Sequence, residues 1–224
     1  MLRHCVAQLN MDRAMTKVKI CGFKTLPDAR AAIDAGADYL GFNFYPRSAR
    51  FISREACAEI TSVLKRNYPQ IKLVGVFVNS PVDEIKDILE TCSLDLAQLH
   101  GDETPEMLKS LEGKAFKAFR GTLHHINGFA RESAPALLVD ASVSGLYGGT
   151  GVTTDWSVAA GLAQRYPLLL AGGLTPANVA DAVRQVKPWG VDVASGVESA
   201  PSVKDAGKMK AFVQAVRSTY KAWP

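Results

Sequence analysis

Cys21 and Asp140 carry side chains that a proton-transfer reaction needs, and each directly follows a short apolar run, VKI and LLV respectively. A carboxylic acid can donate a proton and a thiolate can accept one. Together they suit an isomerisation that moves a proton between neighbouring carbons while a ring opens. Singly, each has a simpler interpretation: Cys21 as a packed core thiol, and Asp140 as a helix cap or loop anchor.

Two glycine-containing pairs, Gly172-Gly173 and Ser195-Gly196, follow two further apolar runs, LLLA and GVDV. Glycine lets backbone N–H groups approach a ligand closely, and a helix start after Gly196 would add the positive end of its dipole. Tight turns are the alternative for either pair alone. If the two runs are the last strands of a barrel, their loops are the usual phosphate site, and both pairs together favour phosphate binding.

These residues must be positioned by a regular alternation of strands and helices. Eight β-branched or apolar runs predict strands over 17–20, 39–42, 73–78, 94–98, 115–119, 137–139, 168–171 and 190–193. Amphipathic stretches predict helices over 26–35, 54–66, 82–90, 105–111, 156–164, 176–185 and 203–221. Three of these helices have a threonine just before a proline, which predicts a capped start: Thr25, Thr104 and Thr175.

Eight such units predict an α/β fold with a closed (β/α)8 TIM barrel, and an open doubly wound sheet is the rival arrangement. The fifth unit is irregular: GTLHHINGFARESA lacks an apolar stripe, so we expect a weak helix or a loop. We expect residues 1–16 to form an N-terminal tail and residues 17–224 one barrel domain. In a barrel the carboxyl ends of the strands meet, so Cys21, Asp140 and both glycine pairs would share one pocket.

The composition narrows the class of protein. The chain has 224 residues, 47% hydrophobic and 21% charged, as in ordinary soluble proteins. The net charge of +4 is scattered, which speaks against nucleic-acid binding, and no apolar stretch is long enough for a membrane span. The four cysteines lack metal-ligand spacing, and the N-terminus lacks a secretory signal pattern, so we expect a cytoplasmic protein with reduced thiols.

An ordered set of motifs gives a more specific indication. The segments are VKICGF, GADYLGFNFYPRSARFIS, VGVFVN, QLHGDE, VDAS, GGTGVTTDW, LAGGLTPANV and GVDVASGVES. In this order, from about residue 18 to the final helix, the chain resembles the phosphoribosylanthranilate isomerase family of tryptophan biosynthesis. The family catalyses an Amadori rearrangement, needs no metal or organic cofactor, and has a weak or missing fifth helix.

The resemblance implies a role for each candidate residue. Asp140 would be the general acid that opens the ribose ring, and Cys21 the general base that removes the C2' proton. Arg50 would bind the anthranilate carboxylate, for which an arginine fork is well shaped, and a surface salt bridge is the alternative. The phosphorylated small-molecule substrate would bind through the backbone at Gly172, Gly173, Ser195 and Gly196.

Other polar residues receive plainer interpretations. We expect Gln98, His100 and Asp102 to shape the pocket rather than catalyse, and Asp192 to accept backbone N–H groups of the phosphate loop. Cys57 and Cys92 read as structural thiols. We expect a monomer or a homodimer, and the glycines of GGTG suggest a loop that could close over the substrate.

The sequence departs from the family pattern at three positions. Val152 stands where the family has lysine, Ala194 where it has serine, and Ser202 where it has glycine. These departures could weaken substrate binding. The rival functions are the related isomerase of histidine biosynthesis, against which Cys21 speaks, and a non-catalytic barrel that senses a phosphorylated metabolite.

Overall fold

Eight parallel strands form a closed barrel in the computed structural model, which describes residues 15–120, 126, 128–129, 131, 133–141 and 156–220. The strands pair in chain order, and the eighth pairs with the first. They are β1 (Lys17–Cys21), β2 (Tyr39–Asn43), β3 (Lys72–Phe77), β4 (Leu96–Leu99), β5 (Ala115–Arg120), β6 (Leu137–Asp140), β7 (Leu168–Ala171) and β8 (Gly190–Val193). The predicted (β/α)8 barrel is confirmed, and the open sheet is excluded.

Seven α-helices surround the barrel in the described part of the chain. They are α1 (Leu26–Ala35), α2 (Arg54–Asn67), α3 (Val82–Thr91), α4 (Pro105–Ser110), α5 (Ser157–Ala163), α6 (Val179–Val186) and α7 (Ala206–Arg217). The residues described between β5 and β6 contain no helix, as the irregular fifth unit predicts. The predicted tail falls almost entirely outside the described residues, so the domain boundary at residue 17 stays a proposal.

The first strand shows how the sequence builds two apolar layers. Val18 and Ile20 are fully buried in the large cluster between the barrel and its helices. Because side chains alternate along a strand, Lys19 and Cys21 point the other way, into the barrel. The barrel interior is otherwise filled by a small apolar cluster: Val74, Phe116, Ala118, Leu138, Leu169 and Ala171.

The two candidate catalytic residues end their strands instead of following them. Cys21 pairs with Gly41 in the ladder between β1 and β2, and Asp140 pairs with Ala171 in the ladder between β6 and β7. In both places a further amide bond continues the ladder, from Gly22 N–H to the carbonyl of Gly41 and from Ala141 N–H to the carbonyl of Ala171. The strands therefore hold both side chains more rigidly than loops would.

The capping predictions are confirmed at two of three threonines. The hydroxyls of Thr25 and Thr104 accept hydrogen bonds from backbone amides three residues on, at the starts of α1 and α4. Thr175 does not cap α6, which begins only at Val179. Instead, the Thr175 N–H donates to Oδ1 of Asn178 at 2.8 Å, so the side chain of Asn178 organises an extra turn before the helix.

The segment after β8 differs from the prediction. The helix expected after Gly196 is a single 3-10 turn, Ser195–Val197, followed by the short antiparallel strands β9 (Glu198–Ala200) and β10 (Val203–Lys204). The last helix therefore begins at Ala206, capped by Asp205, and not at residue 203. Ser202, at the position where glycine is usual, has φ of 63° in the turn between the two short strands.

Candidate active site

A cavity of about 610 Å³ opens at the carboxyl end of the barrel. Its volume is in the range that holds a small ligand. Every residue predicted to form the site lines it: Cys21, Arg50, Asp140, Gly172, Gly173, Ser195 and Gly196. Gln98, His100 and Asp192 line it as well, whereas residues 148–155 of the GGTGVTTDW segment, with Val152, lie outside the described residues.

The position of Cys21 depends on the residue opposite it. Gly41 of β2 pairs with Cys21, and a Cβ atom at Gly41 would lie 2.6 Å from the Cys21 sulfur. The glycine thus leaves the room that the thiol occupies. Burial raises the pKa of the Cys21 thiol, and the positive charge of Lys19 opposes that rise.

Asp140 stands on the far side of the glycine loops from Cys21. It pairs in the sheet with Arg120 of β5, whose Nε–H donates to Nε2 of His100 at 3.1 Å. Burial and then the charge of Arg120 lower the pKa of His100 to about 4, so this imidazole is neutral at physiological pH. His100 also contacts the Gln98 amide at 3.1 Å, which agrees with a role in shaping the pocket.

Gln98 is nearly completely buried, at 2% exposure, and has an unsatisfied polar atom. Its Oε1 has no hydrogen-bond partner among the described residues, although the side chain lines the cavity. Because Nε2 of His100 accepts from Arg120, the neutral ring carries its proton on Nδ1, and the Gln98 amide turned by 180° accepts that proton through Oε1.

The loops after β7 and β8 have the geometry of an anion site. Gly172 and Gly173 have φ of 99° and 61°, a pair of left-handed conformations that turns successive amides. The backbone N–H groups of Gly172, Gly173, Ser195 and Gly196 donate to no other described residue. The loops also touch: a Cβ at Gly196 would lie 1.9 Å from the carbonyl oxygen of Leu174, so only glycine fits there.

Arg50 reaches the cavity already engaged in an ion pair. Its Nε and Nη2 each donate to one carboxylate oxygen of Glu198, both at 2.7 Å, and Lys204 donates to Oε1 at 2.8 Å. Burial opposes ionisation of Glu198, yet these hydrogen bonds bring its pKa down to about 2. The Glu198 side chain is only 4% exposed, so this pair is not the surface salt bridge of the alternative interpretation. Arg50 also lines the cavity, and its Nη1 makes no hydrogen bond to a described residue.

Four residues of this region were missed in the sequence: Lys19, Arg120, Glu198 and Lys204. Lys19 had a readable signal, since a charge inside the apolar run VKI must either be paired or face a site. The other three had none, because they meet only when the barrel closes. Asp192, which we expected to accept backbone amides, accepts from the Lys19 ammonium at 2.9 Å instead.

The described residues contain neither a cluster of metal ligands nor a membrane-spanning helix. In that part of the chain, no three or more His, Cys, Asp or Glu side chains cluster closely enough to hold a metal ion. No helix there has the length and apolar character needed to cross a membrane.

The fold and the cavity define a (β/α)8-barrel protein with a candidate active site at the carboxyl ends of its strands. A family model described as N-(5'phosphoribosyl)anthranilate (PRA) isomerase matches residues 18–215. The chain therefore belongs to this family, and it is an isomerase of tryptophan biosynthesis.

Known relatives cover nearly the whole chain. The N-(5'-phosphoribosyl)anthranilate isomerase of Geotalea daltonii is 46% identical over 205 residues, 89% of this chain and 96% of the relative. The crystal structure of phosphoribosyl anthranilate isomerase from Thermotoga maritima is 36% identical with a TM-score of 0.80, covering 91% of this chain and all (100%) of the other. Another structure of the isomerase, in complex with reduced 1-(o-carboxyphenylamino)-1-deoxyribulose 5-phosphate, is 34% identical with a TM-score of 0.77, covering 91% and 100%.

Proposed function

We propose that this chain converts N-(5'-phosphoribosyl)anthranilate into 1-(2-carboxyphenylamino)-1-deoxyribulose 5-phosphate, with Asp140 as general acid and Cys21 as general base. One observation carries the assignment. The thiol and the carboxyl group end β1 and β6, face one cavity, and are separated around the barrel by β7 and β8, the strands that lead into the glycine loops. A phosphate held by those loops leaves the sugar between acid and base.

The acid step opens the ribose ring. Asp140 donates a proton to the ring oxygen, and the bond between that oxygen and C1' breaks with its electron pair going to oxygen. The lone pair of the anthranilate nitrogen then forms a double bond to C1', which gives a protonated imine. The carboxyl group is left as a carboxylate.

The base step moves the double bond. The Cys21 thiolate removes the proton from C2', and the released electron pair forms a C1'–C2' double bond while the imine π electrons return to nitrogen. The resulting enolamine becomes the ketone when C1' gains a proton and the C2' hydroxyl loses one. Because C1' is reduced and C2' is oxidised within one molecule, the enzyme is an intramolecular oxidoreductase of the aldose–ketose type.

Both ends of the substrate have a matching group. The backbone amides of Gly172, Gly173, Ser195 and Gly196 bind the phosphate. Arg50, held in place by Glu198, binds the anthranilate carboxylate through Nη1. Ala194 supplies no hydroxyl to the phosphate, so the four backbone donors carry this contact.

The test is turnover of N-(5'-phosphoribosyl)anthranilate, generated in situ and followed by its fluorescence, for the wild type, Cys21→Ala and Asp140→Asn. We expect kcat to fall at least about a hundredfold in each variant, since each substitution removes a proton-transfer group. Cys57→Ala is the matched control, because it removes a buried thiol from α2, away from the cavity. It should keep kcat within about threefold.

Three results would contradict the proposal in different ways. If the wild type binds the substrate without turnover, the protein is a non-catalytic barrel that senses a phosphorylated metabolite, and the proposed reaction is wrong. A folded Cys21→Ala variant with unchanged kcat would leave the reaction standing and remove the base, and the same holds for Asp140→Asn and the acid.

The setting of the enzyme is also part of the proposal. We place it in the cytoplasm, where reduced thiols persist, with a phosphorylated small molecule as its partner and neither nucleic acid nor membrane. We expect a monomer or a homodimer. The molar mass from light scattering tests the assembly, and a larger oligomer would contradict it.

A further inference from the structure

Lys19 places a positive charge inside the barrel, next to Asp192 and Cys21. The side chain is fully buried, at 0% exposure, and its ammonium donates to Oδ1 of Asp192 at 2.9 Å. The two residues are direct partners in the ladder between β1 and β8. A buried ion pair is a costly way to fill a core, because both charges lose their hydration. The pair therefore calls for an explanation beyond packing.

The explanation lies two residues along the same strand. Lys19 and Cys21 project from the same face of β1, into the barrel, so the charge of the lysine acts on the thiol. Burial lowers the pKa of Lys19, but the charges and hydrogen bonds of Asp192 and Cys21 outweigh it, so the pKa is raised. The lysine is therefore a cation at every pH at which the enzyme works.

The other cations near Cys21 form ion pairs with a carboxylate. Lys204 of β10 lowers the pKa of the thiol and Asp192 of β8 raises it, and Arg50 also faces the thiol. Lys204 and Arg50 both bind Glu198, which neutralises much of their effect. Lys19 is also paired with a carboxylate, that of Asp192, but it lies on the same strand as Cys21, and its charge lowers the pKa of the thiol more than that of Lys204 does.

We propose that Lys19 is a positioning residue for the reaction: it is the counter-ion that allows Cys21 to act as a thiolate, and Asp192 sets how much of that charge the thiol experiences. The inference rests on the proposed role of Cys21 as general base. It predicts that the two members of the ion pair act on the thiol in opposite directions, which a merely structural pair would not do.

The experiment measures the thiol directly. Cys21 lines the open cavity, so its alkylation by iodoacetamide can be followed from pH 6 to 10 by mass spectrometry of the peptide that contains it. Alkylation reports the thiolate fraction. We expect Lys19→Met to slow alkylation at pH 8 by about tenfold, because the cation is lost and Asp192 is left unpaired. We expect Asp192→Asn to speed it by threefold or more, and Lys19→Met/Asp192→Asn to lie between the two.

Turnover supplies the second readout. Lys19→Met should lower kcat at pH 7 by at least tenfold with little change in KM, since a smaller fraction of Cys21 is thiolate but the binding groups remain. Alkylation that is unchanged, or that moves in the same direction in both single variants, overturns the inference. If Lys19→Met does not fold by circular dichroism, Asp192→Asn decides alone: faster alkylation supports the inference, and equal or slower alkylation overturns it.

The outcomes also separate this inference from the proposed function. If Cys21→Ala keeps its turnover while the opposite alkylation shifts occur, the base assignment is wrong and the electrostatic coupling stands. If Cys21→Ala is inactive and the shifts are absent, the base assignment stands and Lys19 is only structural.

Discussion

The position of the Cys21 thiol depends on the absence of a side chain at Gly41. A Cβ at Gly41 would lie 2.6 Å from the Cys21 sulfur, so the thiol keeps its position only because residue 41 is glycine. The sequence predicts strands at YLGF and KVKI, but it does not predict that Gly41 lies opposite Cys21, because the register of the two strands is set only in the folded sheet. The sequence was therefore enough to select Cys21 as a candidate base, but not to predict its contact with Gly41.

Gly41→Ala should therefore damage catalysis without removing a catalytic group. The new Cβ would meet the Cys21 sulfur at 2.6 Å, so the thiol must move. We expect kcat to fall at least tenfold with the fold intact, because a small displacement of a base is costly.

Gly161→Ala is the matched control for that variant. Gly161 lies within α5, and a Cβ there meets nothing within 4 Å. This variant should keep its kcat and gain up to about 1 kcal/mol in the free energy of unfolding, since alanine is the better helix former. Equal loss of kcat in both variants would show that the Gly41 effect is not local.

His100 should not contribute an ionisation to the pH profile. Its pKa of about 4 keeps the ring neutral above pH 5.5. We expect His100→Asn to change kcat by less than about tenfold and to leave the shape of the kcat/KM profile between pH 5.5 and 8 unchanged. Loss of a limb near pH 6.5 in the variant would make His100 a titrating catalytic group.

Among the elements, the segment between β8 and α7 departs most from what its sequence predicts. The apolar spacing after residue 203 reads as helix, yet Val203 and Lys204 form a strand because Lys204 is drawn to Glu198 and to the carbonyl of Ala194. These partners lie six and ten residues before Lys204, beyond one helical turn, and the carboxylate of Glu198 is itself bound by the distant Arg50. Local patterns predicted the helices capped by Thr25 and Thr104, where every determining contact lies within one turn.

Glu198→Gln should loosen this segment. The variant leaves Arg50 and Lys204 without their shared carboxylate, and we expect a loss of about 3 kcal/mol in the free energy of unfolding at pH 7. KM should rise, since Arg50 loses the partner that orients it. Glu84→Gln, an exposed glutamate of α3, should change neither quantity.

The same carboxylate makes a pH prediction. Its pKa is about 2 in the folded protein against an ordinary value of 4.5, so its contribution is complete above about pH 4.5 and is lost as the pH falls towards 2. The stability difference between the wild type and Glu198→Gln should therefore shrink over this interval in urea titrations. A constant difference would show that the charge of Glu198 is not its source.

Across the whole molecule, the two ends of the barrel have different tasks. The carboxyl end holds the cavity, while at the amino end Asp38 joins the first and last parts of the chain. Its carboxylate accepts from Val18 N–H and from Arg217 of α7, both at 2.9 Å. Eight strand–helix units were enough to predict the closed topology, because a (β/α)8 barrel has one strand order. The register of the β1–β8 pairing that closes the barrel could not be predicted, since no local pattern relates Lys19 to Asp192.

Asp38→Ala should separate stability from activity. We expect a loss of about 2 kcal/mol, roughly 5 °C in Tm, with kcat unchanged, because the residue lies at the end away from the cavity. Asp34→Ala, an exposed position in α1, should alter neither Tm nor kcat. A large fall in kcat for Asp38→Ala would mean that the two ends are coupled.

The contact between Gly196 and the carbonyl of Leu174 has a consequence for anyone who wishes to redirect this enzyme to another phosphorylated sugar. Where the two loops meet there is no room for a Cβ at Gly196, so a larger residue there displaces the carbonyl of Leu174 and with it the other loop. Libraries that randomise one loop at a time will return mainly inactive clones. New specificities should be sought by varying residues 172–174 and 194–196 together in one library.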